Sequence, residues 1–425
     1  MPDGLHTIEP MTEAPVPLNA VIVTAENRDL LLASEPLFFR LIGKLTSKIK
    51  YGAVVFVLPD GRALKFVGDE ETQSVGTIVV KDYAFARRTI LRGDIGFFES
   101  FADDQWDSPS IADCLYIFAR NADHVKEAFL GSPLVSWIDY VKHLFNNNTK
   151  SGSQRNIHYH YDLGNAFYEK WLDPTMTYSS ARYPSPTADL ADAQTNKYRT
   201  LAQTMDLRPG ERVLEVGSGW GGFAEFAAKD VGAQVTGVTI SKEQFDYACA
   251  RIQREGLGEK VKFELRDYRD VDGQFDKIAS IEMFEAVGEK YWPTYFSKLR
   301  DALKPGGVAG LQIITIADRF FDTYRRSADF IQRYVFPGGM LPSPSVLKGQ
   351  IEQAGLLWRG ASSFGEDYAR TLNEWHKRFL AAWEDIRPMG FDDRFHKLWR
   401  FYLGYCEAGF RAGTTDVCQV SAAKA

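Results

Sequence analysis

The sequence has few cysteines, no long apolar run and no excess of positive charge. Its four cysteines, Cys114, Cys249, Cys406 and Cys418, are scattered and form no C-x-x-C pair, which argues for a reducing compartment and against structural zinc. No apolar stretch is long enough to span a bilayer, and no signal-peptide pattern opens the chain. The net charge of −6 argues against nucleic acid as the main partner. We therefore expect a cytoplasmic protein without a metal site.

Length and composition predict more than one domain. The chain has 425 residues, of which 45% are hydrophobic, so two or three ordinary cores are possible. Residues 1–20 are rich in Pro, Thr and Glu, which predicts a disordered leader. Strand and helix patterns over 21–145 predict a small α+β domain, and the polar stretch 146–154 predicts a linker. Residues 155–425 form the second predicted domain.

The first domain contains one amphipathic stretch of special interest. Residues 37–50 interleave cationic and apolar side chains. This pattern fits a helix lying on anionic lipid, and it fits an ordinary surface helix equally well. Further along the domain we predict a hairpin at 53–58 and 62–67, a strand at 76–80, helices at 84–91 and 110–121, and a loop-rich segment at 93–106.

The second domain is organised around the stretch 211–244. Its pattern reads strand 212–216, glycine turn 217–222, helix 223–229 and strand 234–238. Strands and helices continue to alternate in both directions, which predicts a Rossmann-like, doubly wound α/β sheet. The other predicted elements are helices at 196–205, 243–255 and 291–302, strands at 261–265, 277–281 and 308–316, and a loop at 266–271.

The glycine turn satisfies G-x-G-x-x-G, but this match alone is weak. A dinucleotide site also needs an acid about 20 residues further on, where this sequence has Thr239, Ser241 and Lys242 and only later Glu243, so NAD is disfavoured. The distinctive acid, Glu215, precedes the turn instead and suits a ligand with a cationic amino-acid end. The pattern E-x-G-x-G-x-G resembles that of class I S-adenosylmethionine (SAM) methyltransferases. A glycine-rich corner without a ligand is the simpler alternative.

Further motifs resemble the cyclopropane-fatty-acyl-phospholipid synthase family, which includes the mycolic acid methyltransferases. The resemblance covers nearly the whole chain after the leader and preserves the order of the motifs. These are HYDLGNAFYEKWLD (160–173), VLEVGSGWGGFA (213–224), GVTISKEQ (237–244), RDYRD (266–270), EMFEAVG (282–288), YVFPGGMLPS (334–343), SFGEDYARTLNEW (363–375) and RFLAAW (378–383). The resemblance implies an enzyme that moves a methyl group from SAM to an alkene carbon of an acyl chain.

The resemblance also assigns the cofactor-binding residues. The turn glycines would lie along SAM, residues of the 178–179 segment would close over its methionine end, and side chains after the next two strands would flank its ribose and adenine. The residues implied are Tyr178, Ser179, Glu215, Gly217, Gly219, Gly221, Thr239, Gln244, Asp267 and Tyr268.

The same resemblance implies a catalytic base. Typical members hold a bicarbonate ion with a Cys, a Glu, a His, the backbone of an Ile and a Tyr. The matching positions here are Ser180, Glu285, Gln312, Ile314 and Tyr368. Ser180 and Gln312 depart from the family pattern, although both can donate hydrogen bonds to an anion.

The product follows from how the acyl carbocation loses a proton. Loss from the new methyl with ring closure gives a cyclopropane, whereas other routes give a methylene or methyl branch. Because neither Ser180 nor Gln312 is a good base, our hypothesis includes the branched product beside the cyclopropane.

Two alternatives belong to other functional classes. One is SAM-dependent methylation of a hydroxyl or amine on a small hydrophobic molecule, and the other is a non-catalytic lipid-binding protein. The aromatic, helical stretches 319–336 and 373–411 favour an apolar acceptor, and they would cover an acyl channel, form a subunit contact or simply pack a core. The family further implies a phospholipid substrate at the inner membrane surface and a homodimer.

Overall fold

A computed structural model describes residues 19–129, 163–326 and 328–425. The predicted linker at 146–154 and nearly all of the predicted leader lie outside these residues. The chain divides into two compact units. The first unit comprises the described parts of Met1–Gly152, Ser327–Ile331 and Gly390–Ala412. The second unit comprises the described parts of Ser153–Arg326, Gln332–Met389 and Gly413–Ala425.

Strands and helices alternate along most of the described chain. The strands are β1 (Val21–Val23), β2 (Tyr51–Val57), β3 (Ala63–Val67), β4 (Glu70–Val80), β5 (Trp106–Asp107), β6 (Arg212–Val216), β7 (Gln234–Thr239), β8 (Val261–Leu265), β9 (Phe275–Ile281), β10 (Leu303–Ile316), β11 (Leu356–Ser363) and β12 (Thr415–Lys424). The α-helices are α1 (Arg28–Leu31), α2 (Leu37–Thr46), α3 (Ala84–Ala102), α4 (Ile111–Phe129), α5 (Asn165–Glu169), α6 (Leu190–Thr204), α7 (Gly222–Phe226), α8 (Lys242–Arg254), α9 (Trp292–Ala302), α10 (Asp318–Tyr324), α11 (Phe330–Tyr334), α12 (Pro344–Gln353), α13 (Gly365–Ala381), α14 (Trp383–Ile386) and α15 (Asp393–Arg411).

The first unit contains a five-stranded sheet in the order β1-β3-β2-β4-β5. β2 and β3 form the predicted antiparallel hairpin. The predicted loop at 93–106 is wrong, because α3 continues to Ala102 through a break at Gly93, whose φ is +59°. Gly93 interrupts the helical pattern in the sequence, but the turns after it bury Phe97, Phe98 and Phe101, and this burial favours the helix over a loop.

Helix α15 belongs to the first unit, whereas the sequence analysis placed its residues in the second domain. Its ring of Phe401 packs against Phe97, Phe98 and Phe101 of α3. The aromatic density of this segment therefore serves the core of the first unit, which its position in the sequence does not reveal.

Helix α2 buries one side of its amphipathic pattern in the first unit. Its apolar side, including Phe39 and Ile42, is buried, and Phe39 packs against Phe56 and Phe85 in the core. Its cationic side reaches solvent, as expected of a surface helix. None of the helices in the described residues combines the length and apolar character needed to cross a bilayer.

The second unit confirms the Rossmann-like α/β prediction. Its seven-stranded sheet has the order β11-β12-β10-β9-β6-β7-β8. Strands β8, β7, β6, β9 and β10 are mutually parallel neighbours, whereas β12 is antiparallel to both β10 and β11. The chain order reverses between β6 and β9, and at such a switch point the carboxyl ends of parallel strands leave a crevice for ligands.

The central stretch folds closely to its predicted pattern. β6 has the predicted bounds, and α8 and β7 differ from prediction by single residues. The predicted helix at 223–229 is instead the short α7 followed by a π-helical turn at Ala227–Val231. The predicted loop after β8 contains a 3₁₀ turn at Tyr268–Asp270.

Candidate active site

The glycine turn lies at the carboxyl end of β6. Gly217, Gly219 and Gly221 all have positive φ angles, of +79°, +51° and +82°, which side chains with a Cβ rarely adopt. A Cβ on Gly217 would stand 2.7 Å from Met283 Cγ, and one on Gly221 would stand 2.9 Å from Phe263 Cζ. Beside Gly219, in contrast, no described atom lies within 4 Å of the Cβ position. The turn thus packs against the protein on one side and leaves open space on the other.

Glu215 lies two residues before this turn and is buried. Its Oε2 has no hydrogen-bond partner among the described residues. Burial raises the pKa of Glu215 well above its ordinary value, and the positive charges of Arg251 and Lys197 oppose this shift. A buried carboxyl oxygen without a partner is costly for the protein alone, and a cationic ligand would satisfy it.

A crevice beside the turn brings together residues from separate motifs. Tyr178 and Gln244, both predicted to bind the cofactor, line the same crevice. The crevice is further lined by Gly164, Asn165, Tyr168, Trp220, Ser241 and Glu243. Trp220 is fixed there because its indole N–H donates to Asn165 Oδ1 over 2.7 Å. The first and third family motifs therefore meet at the glycine turn.

The remaining predicted cofactor residues follow the next two strands. Thr239 ends β7, and its hydroxyl donates to Gln244 Oε1 over 3.1 Å. Asp267 follows β8 and is paired with Arg269 over 2.6 Å, which holds the pKa of the Asp267 carboxyl below its ordinary value. The ring of half-buried Tyr268 packs against Tyr295. These positions all lie near the carboxyl ends of adjacent parallel strands.

The segment containing Tyr178, Ser179 and Ser180 is held by buried polar contacts. Lys197 Nζ on α6 lies 2.6 Å from Ser179 Oγ. Lys197 is fully buried, and burial lowers its pKa to about 7. The ring of Tyr178 packs against Trp171 and Trp375. This segment is thereby fixed between α6 and α13.

Glu282 is the centre of a second set of polar contacts. It follows β9 directly and has a φ of +50°, a strained conformation for a residue with a Cβ. Its Oε1 accepts the backbone N–H of Ser180 over 2.9 Å and Nε2–H of Gln312 over 2.8 Å. Its Oε2 accepts the hydroxyl of Tyr368 over 2.7 Å. Three positions predicted to hold an external anion therefore donate to a carboxylate of the chain itself.

Glu285 and Ile314, the other predicted anion ligands, bond to each other. The backbone N–H of Ile314 donates to Glu285 Oε1 over 2.6 Å. Oε2 of Glu285 is buried and has no partner among the described residues. Burial, reinforced by the nearby Glu282 charge, raises the pKa of Glu285 to about 8. This shift favours the neutral form of Glu285 near pH 7.

The electrostatics separate the two acids. Burial raises the pKa of Glu282, but Gln312, Lys197, Tyr368 and the Ser180 N–H all lower it. Glu285 has only backbone donors to lower its pKa. Glu282 therefore has more groups around it that favour its charged form than Glu285 has.

The two parts of the site adjoin each other. Met283, which the turn approaches at Gly217, directly follows Glu282. Ser280 Oγ on β9 donates to the carbonyl of Val216 over 3.0 Å and ties the two strand ends together. The predicted cofactor residues and the predicted base residues thus share one edge of the sheet.

Sequence reasoning missed Glu282 and Lys197. Glu282 opens the motif EMFEAVG and follows a parallel strand, so its place at the sheet edge could have been inferred, but its bonds to Ser180, Gln312 and Tyr368 could not. Lys197 lies within a helix whose pattern is otherwise ordinary, and nothing in the sequence marks it as buried.

The comparisons with known proteins decide the family. The model of the mycolic acid cyclopropane synthetase family matches residues 148–420. The chain belongs to this family. It is a SAM-dependent methyltransferase, and the predicted main activity, C-methylation of unsaturated acyl chains, is confirmed over the two alternatives.

Several relatives span most of the chain. Tuberculostearic acid methyltransferase UfaA1 of Mycobacterium tuberculosis is 36% identical over 375 residues, which cover 85% of this chain and 86% of the relative. Cyclopropane-fatty-acyl-phospholipid synthase of Escherichia coli is 37% identical over 348 residues, which cover 81% and 86%. Because these two differ in product by their names, their similar identities do not decide the product here.

Solved structures support the same family. The cyclopropane synthase MmaA2 of Mycobacterium tuberculosis has a TM-score of 0.60 and 27% identity, covering 64% of this chain and 98% of its own. Mycolic acid cyclopropane synthase CmaA1, complexed with SAH and CTAB, has a TM-score of 0.60 and 28% identity with the same coverage.

The site fits SAM but does not fit the expected bicarbonate. Open space beside Gly219 and the unpartnered oxygen of Glu215 suit a ligand with a cationic end. In contrast, the backbone N–H of Ser180, the amide of Gln312 and the hydroxyl of Tyr368 already donate to Glu282. A second anion at these donors would be repelled by the carboxylate.

Proposed function

We propose that this enzyme adds a SAM-derived methylene group to the double bond of an unsaturated acyl chain in a phospholipid, and that Glu282 is its base. The observation that carries the proposal is the Glu282 carboxylate, held by Tyr368 and Gln312 beside the glycine turn. When bound, SAM supplies an electrophilic methyl group on a positively charged sulfur.

The chain positions the reactants and excludes water. In the proposal, Gly217, Gly219 and Gly221 lie along the cofactor and Glu215 faces its ammonium group. Tyr178 and Ser179 cover the methionine end, while Thr239, Gln244, Asp267 and Tyr268 flank the nucleoside. An alkene is a weak nucleophile, so its alignment with the methyl group supplies much of the rate.

Glu282 receives the proton that the reaction releases. Formation of the new carbon–carbon bond leaves a positive charge on the acyl chain, and breaking one C–H bond discharges it. The cation lies on the chain carbon next to the methylated one, so loss of a proton from the new methyl group closes the ring. If a hydride first shifts from the methylated carbon to that cationic carbon, loss of a proton from the methyl group gives a methylene branch. In both routes the proton passes to Glu282. Three hydrogen bonds fix the orientation of the Glu282 carboxylate. A general base must be held in a fixed position relative to the proton that it removes.

We infer a methylene-branched product. Ser180 and Gln312 replace the Cys and His of ring-forming members, and a carboxylate of the chain replaces the external anion. A saturated methyl branch would need a hydride from an additional reductant, whereas a methylene branch needs only a hydride shift within the acyl chain and the base. The methylene product therefore requires nothing beyond SAM, the alkene and Glu282.

The product distinguishes these possibilities directly. We would express the protein in E. coli cells lacking their own cyclopropane synthase and analyse the lipids by mass spectrometry and NMR. We expect a mass increase of one methylene group and the NMR signals of a branching C=CH₂ group. A clean cyclopropyl methylene signal would overturn the branched assignment.

Glu282→Gln tests the base, because the amide keeps the shape of the side chain but cannot take the proton. We expect kcat to fall by about 10²-fold or more, with SAM affinity in calorimetry unchanged. Glu259→Gln, an exposed position, is the control. Turnover of Glu282→Gln at the wild-type rate would exclude Glu282 as the base.

We also propose that the enzyme acts from the cytoplasm at the inner membrane surface, through α1 and α2. Leu30 and Leu37 are 79% and 64% exposed, and Arg40 and Lys44 are exposed beside them. Exposed apolar groups next to cations suit an anionic phospholipid surface.

The homodimer stays a proposal from the family resemblance, which light scattering of the purified protein tests.

Vesicle binding tests the membrane proposal. We expect Arg40→Glu/Lys44→Glu to sediment less with vesicles containing phosphatidylglycerol, by about tenfold in affinity at low salt. The control, Lys348→Glu/Arg359→Glu, changes the net charge equally on exposed positions of the second unit. If both double variants bind alike, the surface on α1 and α2 is not the docking site.

A further inference from the structure

A pair of buried glutamines lies behind Glu282. Gln312 on β10 and Gln419 on β12 are direct partners in the antiparallel register, and their side chains are 0% and 1% exposed. Buried amides are costly unless each donor and acceptor is used. The two side chains are bonded to each other, because Nε2–H of Gln419 donates to Gln312 Oε1 over 3.2 Å.

The orientation of Gln419 is fixed by its other partners. Its Oε1 accepts from Arg182 Nη1 over 3.0 Å, and its Nε2 also donates to the carbonyl of Lys197 over 3.0 Å. A guanidinium can only donate and a carbonyl can only accept. Rotating the Gln419 amide by 180° would therefore set donor against donor and acceptor against acceptor.

The orientation of Gln312 follows from that of Gln419. Since Gln312 Oε1 accepts from Gln419, its Nε2 must face the other way. There it donates to Glu282 Oε1 over 2.8 Å and to the carbonyl of Ser180 over 3.3 Å. Arg182 thus sets the direction of a chain of hydrogen bonds that ends on the Glu282 carboxylate.

We propose that Gln419 and Arg182 are positioning residues that hold the Gln312 amide as a donor to Glu282. Neither acts on the substrate, and both act only through Gln312. Arg182 is itself anchored, because its Nη2 donates to Ser362 Oγ on β11 over 2.7 Å. The proposal rests on the proposed role of Glu282 as base, since a donor stabilises the ionised carboxylate that takes up the proton.

Other charged groups around Glu282 do not replace this device. Lys197 on α6 and Tyr368 on α13 face Glu282 and favour its charged form. Glu285, on the 3₁₀ turn after β9, is the neighbouring acid, and its negative charge and that of Glu282 disfavour each other. The side chains of these three residues have no hydrogen bond to Gln419 among the described residues, so the contribution of the glutamine pair can be isolated.

Gln419→Glu tests the proposal with almost no change of shape. Both oxygens of the introduced carboxylate can only accept, so Gln312 must turn its nitrogen toward that carboxylate and its oxygen toward Glu282. We expect the ascending limb of the pH profile of kcat to move up by roughly one unit, because a charged hydrogen bond is replaced by repulsion. KM for SAM should stay unchanged, because neither glutamine side chain has a hydrogen bond to the glycine turn among the described residues.

A double-mutant cycle separates positioning from a direct charge effect. In a Gln312→Met background, Gln419→Glu should add little further shift, because no amide is left to turn. An equal shift in both backgrounds, or no shift in either, overturns the proposal. Single-turnover product formation gives the profile where steady-state turnover is slow. Gln253→Glu, exposed on α8, is the charge-matched control and should behave as wild type.

Two further measurements complete the test. If thermal unfolding shows that Gln419→Glu is not folded, Gln419→Met takes its place. For that variant we expect a smaller upward shift of the ascending limb of the pH profile. An unchanged pH profile would count against the proposal. Glu282→Gln distinguishes the proposed base from the proposed positioning role of Gln419 and Arg182. If Glu282→Gln retains full turnover, Glu282 is not the base. If Glu282→Gln loses turnover but the pH profile of Gln419→Glu is not shifted, only the positioning role is rejected.

Discussion

Glu285 shows how burial sets the charge of a side chain. One of its oxygens accepts from the backbone of Ile314, while the other has no partner among the described residues. Burial and the nearby Glu282 charge raise its pKa from the ordinary 4.5 to about 8. The folded protein therefore keeps a proton on Glu285 in a pH range where the unfolded chain has lost it.

This proton makes stability fall as pH rises. Between about pH 4.5 and 8 the folded state binds more protons at Glu285 than the unfolded state, so the free energy of unfolding decreases with pH. Glu285→Gln removes this dependence and keeps an acceptor for Ile314. We expect the free energy of unfolding of the variant, relative to that of wild type, to rise by a few kcal/mol from pH 5 to pH 8. Urea denaturation at both pH values measures this difference.

Glu259→Gln is the control for this comparison, because Glu259 is exposed. Its midpoint should differ from that of wild type by the same small amount at both pH values. If the gain of Glu285→Gln were equal at pH 5 and pH 8, the carboxyl would not hold a proton in the folded state.

Individual residues were predicted unevenly from the sequence. The glycines and Glu215 could be recognised because their spacing is local and set by one turn. Glu282 could not be assigned, since its role depends on Ser180, Gln312 and Tyr368, which approach it only in the folded sheet. A residue whose partners are distant in sequence gives no local signal.

Among the elements, the glycine turn has a strict steric requirement at Gly217. At Gly217 a methyl group would both strain the backbone at φ +79° and meet Met283. We expect Gly217→Ala to lower the free energy of unfolding by about 1–2 kcal/mol or more. Activity should fall as well, because Met283 is the neighbour of Glu282. Thermal unfolding and turnover check both effects.

Two other glycines separate strain from collision. A Cβ at Gly219 meets nothing within 4 Å, so Gly219→Ala should cost less stability than Gly217→Ala and should mainly weaken SAM binding in calorimetry. Gly349 lies within α12 and also has room for a Cβ, so its Ala variant should be stabilised by about 0.5–1 kcal/mol. Equal losses at Gly217 and Gly219 would contradict the role of Met283.

Elements were predicted well where one periodicity runs without interruption. β6 and β8 have their predicted bounds. The segment after Gly93 was predicted as a loop because a glycine in the pattern resembles a helix end, yet burial of its phenylalanines against α15 continues the helix. Tertiary packing of this kind is not visible in a local window.

At the scale of the whole molecule, the chain passes between its units more than once. Residues 390–412 pack in the first unit, and residues 413–425 return to the second as β12. Sequence patterns predicted each domain type but placed the residues of α15 in the wrong domain, because its amphipathic face is compatible with either core.

Removing residues 413–425 tests this arrangement. β12 lies between β10 and β11, so its loss leaves β11 without a partner strand in the described sheet and leaves one edge of β10 unpaired. The deletion also removes the fully buried residues Val420 and Ala422 from the core. We expect the truncated protein to lose the unfolding transition of the second unit in calorimetry and to aggregate. Removing only Ala425, which is exposed and beyond the strand, should leave the melting curve unchanged.

Retention of both transitions after the longer deletion would show that β12 is dispensable. Such a protein should then bind SAM as the full chain does, which calorimetry can detect. We expect neither, since an internal strand contributes hydrogen bonds on both of its edges.

β12 carries Gln419 and follows β6, the glycine turn and β10 along the chain. During translation these parallel strands therefore emerge before β12, and the sheet cannot be completed until β12 has emerged as well. A nascent chain that has stopped before β12 lacks Gln419 beside Gln312. In our proposal, the aligned base therefore forms only after β12 has joined the sheet.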